Sequence, residues 1–281
     1  MKFTPSQLEQ YEAEGYIIVH CPFLKPFVEA CMAAVEKVSL PPSERKHYKN
    51  KRLKKQIEDS GWTQLDHTLP FLNVILHSEF VELGKQLIGD DDLYLRNGSI
   101  NELAPNRPAF IWHRDFPYPG VEFMHYFSGA YKENGCLRVV PGSHTKPKEE
   151  LPKLLEELCP VPDESGQDQT DPEEFFPDVE LPNEISLEVQ PDEIIVRDER
   201  IWHASWVNVS PDSRLMSHWR YYQSSYDNHR FTFNDYLTPE LIECLTPDQR
   251  EVLWLDRDFE VCPRYQPNRE RELGNVKWGL L

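Results

Sequence analysis

Two histidines and an aspartate have the residue types and spacing of a metal-binding set. His113 and Asp115 are two residues apart, and His203 follows about ninety residues later. In an extended chain, residues i and i+2 point to the same face, so His113 and Asp115 can reach one ion. Two histidines and one carboxylate on one face of a metal leave the opposite face open, as in non-haem Fe(II) oxygenases. The chain has ten histidines, so the pattern alone also fits structural histidines, but it makes these three residues the candidate iron ligands.

An arginine and a serine near His203 are suited to hold a small dicarboxylate. Arg214 lies beyond 208–213, a segment of turn-forming residues. If 202–207 and 214–223 pair as a hairpin around that turn, Arg214 lies diagonal to Ser205 on the sheet face of His203. A guanidinium fork and a hydroxyl at this distance from a metal suit the distal carboxylate of 2-oxoglutarate.

Short β-strands are the elements that must position these residues. From about 93 to 222, runs of β-branched and aromatic residues are separated by Pro, Gly and Asn. Strands at this spacing are typical of a sandwich, jelly roll or barrel. The predicted strands are 93–103, 123–127, 137–140, 193–197, 201–207 and 215–223.

The segments on either side of this core are predicted to be mainly helical. Thr4-Pro5-Ser6-Gln7 combines a capping box with Pro at the first helical position, and Gly15 ends that helix. A short strand over 16–19 follows. Further helices are predicted over 25–38 and after the Thr-Pro pairs at 238–239 and 246–247.

An acidic insertion of about 146–185 interrupts the strand pattern. Residues 149–193 carry sixteen acidic side chains and one basic side chain, Lys153, together with seven prolines. This composition does not suit a core strand, so we predict a surface insertion with one short helix near 150–158. The insertion is interpreted either as a flap over the site or as a solvated loop.

Length and composition exclude several classes of protein. The chain has 281 residues and is 39% apolar, which fits one large domain or two small ones and excludes disorder; we predict a single domain over 1–281. We divide this domain into an N-terminal helical part (about 1–90), a jelly-roll core (about 93–223) and a C-terminal helical extension (about 232–281). No run of about 18 apolar residues and no secretory signal are found, so a membrane partner is not expected.

Charge and cysteine content bear on partners and compartment. A net charge of −18 argues against nucleic-acid binding. Six cysteines without a CxxC pair indicate reduced, mostly buried thiols in a cytoplasmic protein. We expect a small-molecule substrate as the partner and a monomer or small homo-oligomer.

The sequence resembles the phytanoyl-CoA dioxygenase family of Fe(II)/2-oxoglutarate-dependent oxygenases over about 4–37 and 93–223. The similar segments are TPSQLEQYEAEGYIIV at 4–19, WHRD at 112–115, ENGCLRVVPGSH at 133–144, PDEIIVRDERIWHAS at 191–205, and Arg214 with WRYY at 219–222.

The resemblance implies a fold, a set of cofactors and roles for individual residues. The fold is a double-stranded β-helix, which is a mainly β, cupin-like jelly roll of eight strands with flanking helices. His113, Asp115 and His203 would bind Fe(II), Ser205 and Arg214 would hold 2-oxoglutarate, and O2 would be the second cosubstrate.

Two further cosubstrate contacts follow from the same resemblance. Family members usually place a polar side chain on the strand before the HxD motif, and Asn101 fits this position, with Ser99 second. They often carry Trp on the strand before the Asn-Gly turn, where this chain has Tyr126. Ordinary sheet packing is the alternative for these positions. His144 is expected to be structural.

The predicted activity is oxidation of an unactivated C–H bond, by hydroxylation or by radical cyclisation or desaturation. Halogenation is not expected, since it requires a small residue in place of Asp115. A non-catalytic metabolite-binding jelly roll and a zinc hydrolase are the alternatives, although no general base accompanies the triad.

The substrate is predicted to be a small, carboxylated metabolite of specialised (natural product) metabolism. Arg220 is expected to point inwards, like Arg214, where its partner is either a protein carboxylate or a substrate carboxylate. An acyl-CoA guided by the basic block at 45–55 is the alternative substrate. The residues expected to line the mouth are Trp112, Arg114, Phe116, Tyr118, Trp202, Trp206 and Arg220, with Met216 and His218 as further members.

Overall fold

Two antiparallel β-sheets form the centre of the molecule. The computed structural model describes residues 1–38, 65–103, 105, 112–115, 120–158, 179–223 and 237–257. One sheet has five strands in the order β1-β6-β3-β8-β2 and the other has three in the order β5-β4-β7. The strands are β1 (Tyr16–His20), β2 (Leu93–Leu103), β3 (Val121–Tyr126), β4 (Leu137–Val139), β5 (Ile185–Leu187), β6 (Glu193–Asp198), β7 (His203–Ser205) and β8 (Arg214–Gln223).

Alternation along the strands divides the apolar residues between two cores. One face of the five-stranded sheet carries Phe123, Val196 and Trp219, which pack in a large cluster with the helices. The opposite face carries Met124 and Ile195, which pack against residues of the three-stranded sheet. Two sheets that enclose a core between them form a jelly roll, so the predicted fold class is confirmed.

Helices cover the outer face of the five-stranded sheet. The predicted capping box of the first helix is present, with Thr4 and Gln7 bonded reciprocally and Gly15 as the left-handed C-cap. No helix in the described ranges is long and apolar enough to cross a membrane. The helices are α1 (Pro5–Glu14), α2 (Lys25–Val38), α3 (Leu65–Ile75), α4 (Ser78–Ile88), α5 (Glu150–Leu158), α6 (Pro239–Cys244) and α7 (Pro247–Val252).

The predicted hairpin between 202–207 and 214–223 is wrong. Strand β7 pairs with β4, whereas β8 pairs with β2 and β3 in the other sheet. The connection over 208–213 therefore crosses between the sheets, and the Asn208 amide donates to Leu103 O and Asp212 O within it. A turn-rich connector of six residues suits a hairpin and a sheet-to-sheet crossing equally well, so local sequence does not distinguish them.

The acidic insertion contains one predicted and one unpredicted element. Helix α5 lies over the residues predicted to be helical, while 159–178 fall outside the described residues. Strand β5, at the end of the insertion, is an edge strand with Leu187 buried and Ile185 exposed. Strand β5 was not predicted because its neighbours in sequence are acidic, and an edge strand tolerates polar neighbours that a central strand does not.

Four cysteines fall within the described residues, and all four are free thiols. Cys21, Cys31 and Cys136 are buried and Cys244 is exposed. Burial raises the pKa of each buried thiol to about 12, so these thiols are protonated and unreactive at neutral pH.

Candidate active site

Backbone pairing brings the three candidate ligands together. His113 and His203 form an antiparallel bridge in which each N–H donates to the other's carbonyl at 3.0 Å. Directly opposed residues carry neighbouring side chains, and their ring centroids lie 4.0 Å apart. Asp115, two residues on, turns to the same side. One ligand atom from each of the three residues lies within 4.8 Å of the others.

The protonation state of His203 suits metal binding. Burial, followed by the charge of Arg197, holds the pKa of His203 well below its usual value, so this imidazole is neutral. Its Nδ1 lies 3.0 Å from the carbonyl of Ile201. Arg197 Nη1 lies 3.3 Å from the same nitrogen. In the tautomer whose Nδ1 proton is donated to the Ile201 carbonyl, the lone pair on Nε2 is left for a metal.

The Asp115 carboxyl is ionised despite its burial. Burial raises its pKa, but the charges of Arg220, Arg197 and His203 lower the pKa well below the usual range. Two imidazole nitrogens and a carboxylate oxygen, without a thiolate, form a donor set that suits Fe(II). The described residues therefore fit the iron that the sequence predicts.

A buried network of charges surrounds Asp115. Arg197 Nη2 lies 2.5 Å and Arg220 Nη2 lies 3.0 Å from the same oxygen, Asp115 Oδ2. Both arginines also pair with Glu122, Arg220 at 2.8 Å, and Arg220 Nε lies 2.6 Å from Glu199. The two arginines and the two glutamates of this network are all buried.

Sequence reasoning did not identify Arg197, Glu122 and Glu199 as members of the site. The available signal was a charged residue within an apolar strand, as in EIIVRD and VEFMHY. Such a residue is costly to bury unless it is paired, so it predicts a partner on the same sheet face.

Arg214 lies at the other end of the same sheet face and is a buried cation without a carboxylate partner among the described residues. Its guanidinium carbon is 4.8 Å from the ring centroid of Tyr126, and Nη1 donates to the carbonyl of Gly135. Its Nε is buried without a hydrogen-bond partner, and no described carboxylate pairs with it. Burial lowers the pKa of Arg214, because removing the charged guanidinium from water disfavours its protonated form. A buried guanidinium without a described carboxylate partner suits an external carboxylate, which is the role that the sequence predicts for Arg214.

The remaining predicted cosubstrate residues lie on neighbouring strands. Ser205 lies two residues after His203 on β7, opposite Leu137 of β4. Asn101 lies opposite Met216 in the β2–β8 register, and Ser99 lies opposite His218, but the side chains of both β2 residues are outside the description.

Trp112 and Trp202, which precede the candidate ligands in sequence and were predicted to line the mouth, do not lie in the site. Trp112 and Trp202 are buried in a cluster with Leu151 of the insertion. Trp112 Nε1 donates to Val179 O at 2.7 Å, which ties down the end of that insertion. Adjacent residues on an extended chain point to opposite faces, so a tryptophan next to an inward histidine points outward.

Trp206 and Arg114 also have partners away from the triad. Trp206 stacks on Arg138, with the guanidinium carbon 3.8 Å from the ring centroid, and donates to Ser186. Arg114 donates to the carbonyls of Ser143 at 2.8 Å and Lys146 at 2.9 Å.

Arg220 points inwards as predicted, but its partners are the protein carboxylates described above. Of the two predicted alternatives for Arg220, a protein carboxylate or a substrate carboxylate, the structure supports the protein carboxylate. Met216 packs in the core between the sheets, and His218 Nδ1 lies 2.7 Å from Glu122. The last two predicted mouth residues, Phe116 and Tyr118, and the basic block at 45–55 lie outside the described residues.

His144 is structural, as predicted. It lies in a 3-10 turn over Ser143–Thr145, and its Nε2 is 3.1 Å from the carbonyl of Glu12. Its ring packs against Gly15, where a side chain would collide with it. His144 therefore attaches the first helix to the jelly roll.

Comparison with known proteins agrees with this geometry. A family model described as "Phytanoyl-CoA dioxygenase (PhyH)" matches residues 11–216. A curated relative, "Dioxygenase af480" of Aspergillus fumigatus, is 27% identical over 192 residues, which cover 65% of this chain and 54% of the relative. This chain thus spans about half the length of that protein.

Solved structures share the fold at low identity. The "non-heme alpha ketoglutarate dependent epimerase SnoN from nogalamycin biosynthesis" aligns with a TM-score of 0.57 and 15% identity, over 78% of this chain and 82% of that chain. The "carbocyclase SnoK" of the same biosynthesis aligns at 0.54 and 18%, over 79% and 85%. "EctD from S. alaskensis with bound Fe" aligns at 0.55 and 16%, over 79% and 77%.

Proposed function

The chain belongs to the phytanoyl-CoA dioxygenase family, and from this premise we propose that it is an Fe(II)- and 2-oxoglutarate-dependent dioxygenase. One observation carries the proposal. A His-Asp-His triad with ligand atoms within 4.8 Å of one another shares an interior with a buried arginine that has no described carboxylate partner. The first feature suits iron and the second suits the carboxylate of a cosubstrate.

Each residue of the site has a proposed role. His113, Asp115 and His203 hold Fe(II), while the Arg214 fork pairs with the distal carboxylate of 2-oxoglutarate beside the Ser205 hydroxyl. When bound, iron with 2-oxoglutarate and O2 supplies the oxidant that breaks a substrate C–H bond.

Two neighbours complete the proposed cosubstrate pocket. The buried ring of Tyr126 lies against Arg214, fixes its direction and excludes water from its face. Burial raises the pKa of Tyr126 to about 12, so its hydroxyl stays protonated and can donate a hydrogen bond. Asn101 is a further contact that we propose from its place on β2.

The proposed reaction is hydroxylation, or radical cyclisation or desaturation, of a small metabolite in specialised metabolism. Its support is the family and the fold shared with enzymes whose titles name an epimerase and a carbocyclase of nogalamycin biosynthesis. Recognition of a substrate carboxylate by Arg114 or Arg220 is not retained, because protein groups occupy both. We propose that the elements over 1–281 form one catalytic domain.

Anaerobic titration tests the assignment of iron and cosubstrate. Fe(II) and 2-oxoglutarate added to the protein without air should give the weak visible charge-transfer absorption of the chelate. The absorption and succinate release in air should both disappear in Asp115→Ala. A wild-type protein that binds neither compound would contradict the proposal.

A mass-spectrometric screen identifies the substrate. Candidate metabolites and acyl-CoA thioesters are incubated with the enzyme, Fe(II), 2-oxoglutarate and O2. A product heavier by one oxygen atom indicates hydroxylation, and one lighter by two hydrogen atoms indicates desaturation or cyclisation. Turnover of acyl-CoA alone would replace the small-metabolite proposal by the alternative.

A further inference from the structure

We propose that Arg197 and Arg220 are positioning residues for the metal-ligand carboxylate, and that together they form an anion-binding seat around Asp115 Oδ2. This inference rests on the proposed function, since it takes Asp115 as an iron ligand. It assigns a role to two buried arginines that neither bind iron nor reach the Arg214 end of the site.

Both arginines contact the same oxygen of the carboxylate. Arg197 Nη2 and Arg220 Nη2 lie 2.5 Å and 3.0 Å from Asp115 Oδ2. The other oxygen, Oδ1, has neither contact and lies 3.4 Å from Nε2 of His113. Nε2 of His203 lies 3.5 Å from Oδ2. An oxygen that accepts two charge-assisted hydrogen bonds is a weaker donor to a metal, so we infer that the two arginines leave Oδ1 as the better ligand for the ion.

The two guanidinium groups are themselves fixed in place. Glu122, which is buried, forms ion pairs with Arg197 and Arg220, and Nε of Arg220 lies 2.6 Å from Oε1 of Glu199. Each arginine thus has at least one carboxylate partner that does not depend on Asp115. The seat should therefore persist when the Asp115 side chain is removed.

A comparison within the chain shows that this arrangement is more than a buried ion pair. Arg138, on the outer face of the three-stranded sheet, is equally buried and pairs with one carboxylate, Glu184. At Asp115, by contrast, two arginines converge on one carboxylate oxygen. Loss of that carboxylate removes one partner from each Nη2 group, and a small anion can take its place between the two guanidinium groups.

The experiment measures chemical rescue of metal binding by formate, which replaces the lost carboxylate group. Asp115→Ala protein is titrated with Co2+ as the probe metal, without 2-oxoglutarate, with and without sodium formate at constant ionic strength. The readout is the visible absorption of bound Co2+, so no turnover is needed. The same titration is run on wild type, on Asp115→Ala/Arg220→Gln and on the matched control Asp115→Ala/Arg138→Gln.

We expect Asp115→Ala to bind Co2+ at least about tenfold more weakly than wild type, and formate to restore most of this loss. Formate should act equally in the Arg138→Gln control, and its effect should be lost in Asp115→Ala/Arg220→Gln. Thermal melts establish that each variant is folded. If Arg220→Gln does not fold, Asp115→Ala/Arg220→Lys takes its place and should show a reduced formate effect, since an ammonium keeps the charge without the fork.

The outcomes separate this inference from the proposed function. Co2+ binding by Asp115→Ala that equals wild type without formate would refute Asp115 as a ligand, and with it the proposed function. Loss of binding that formate does not restore, or restores equally without Arg220, would refute the anion seat and leave the proposed function intact.

Discussion

Replacing Arg214 with methionine should separate ligand binding from folding. The guanidinium is buried, its Nε is unsatisfied, and it pairs with no carboxylate among the described residues. Loss of its hydrogen bond to Gly135 costs about 1 kcal/mol, and loss of the contact with the Tyr126 ring costs about 0.5–2 kcal/mol. An apolar side chain of similar volume avoids the desolvation of a lone cation, which is worth several kcal/mol. We therefore expect the free energy of unfolding of Arg214→Met to equal or exceed that of wild type.

The same substitution should abolish tight binding of 2-oxoglutarate. Hydrogen bonds between charged groups contribute about 1.5–3 kcal/mol each. Loss of about 3 kcal/mol weakens affinity roughly 100-fold, at about 1.4 kcal/mol per factor of ten. Affinity is measured by anaerobic titration of the Fe(II)-loaded protein, and stability by urea unfolding of the metal-free protein. Iron binding without the cosubstrate should be unchanged.

Arg138→Met is the matched control. Arg138 is 1% exposed and pairs with Glu184 at 2.6 Å, so its removal leaves a carboxylate without its partner. We expect this variant to lose about 3 kcal/mol of stability and to bind 2-oxoglutarate normally. The reasoning is refuted if Arg214→Met is destabilised as much as Arg138→Met and still binds 2-oxoglutarate with wild-type affinity.

Three further predictions concern stability and the insertion. Burial lowers the pKa of His125. Below the unfolded pKa of about 6.5, the unfolded chain therefore binds more protons than the folded chain, and the free energy of unfolding decreases as the pH is lowered. Urea unfolding at pH 7.5 and 5.5 should show this decrease, and the decrease should be smaller in His125→Gln. Deletion of 163–172 should leave urea unfolding unchanged but raise the apparent Michaelis constant for the substrate identified by the screen. An unchanged Michaelis constant would mean that the insertion is not a flap. A methyl group at Gly120 would collide with the Glu199 carboxylate and the Tyr222 ring, so Gly120→Ala should lower stability by about 1–3 kcal/mol in thermal melts, and an unchanged melting temperature would contradict this packing.

Local sequence determined the first helix, several strands and the choice of residues for the triad. The capping box at Thr4 is set by contacts between residues three positions apart, and the strand over Leu93–Leu103 follows from local β-propensity and its flanking turn residues, so the bounds of both could be predicted closely. The HxD spacing placed His113 and Asp115 on one face because side chains alternate along any extended chain.

The same alternation, applied consistently, would have corrected part of the substrate prediction. Trp112 and Arg114 flank His113, so they must face away from the site if His113 faces into it. Instead, Trp112 donates to the carbonyl of Val179 and Arg114 to the carbonyl of Ser143, near the two ends of the acidic insertion. The error lay in treating neighbours in sequence as neighbours in the site.

Only the tertiary structure decided how distant strands meet. It separated β7 from β8 into different sheets, gave Arg220 three carboxylate partners and left Arg214 with none among the described residues. Both arginines lie on one strand with the same alternation, so nothing local distinguishes them. What distinguishes them is which side chains of other strands lie opposite, and that depends on non-local register and sheet packing, which no short stretch of sequence contains.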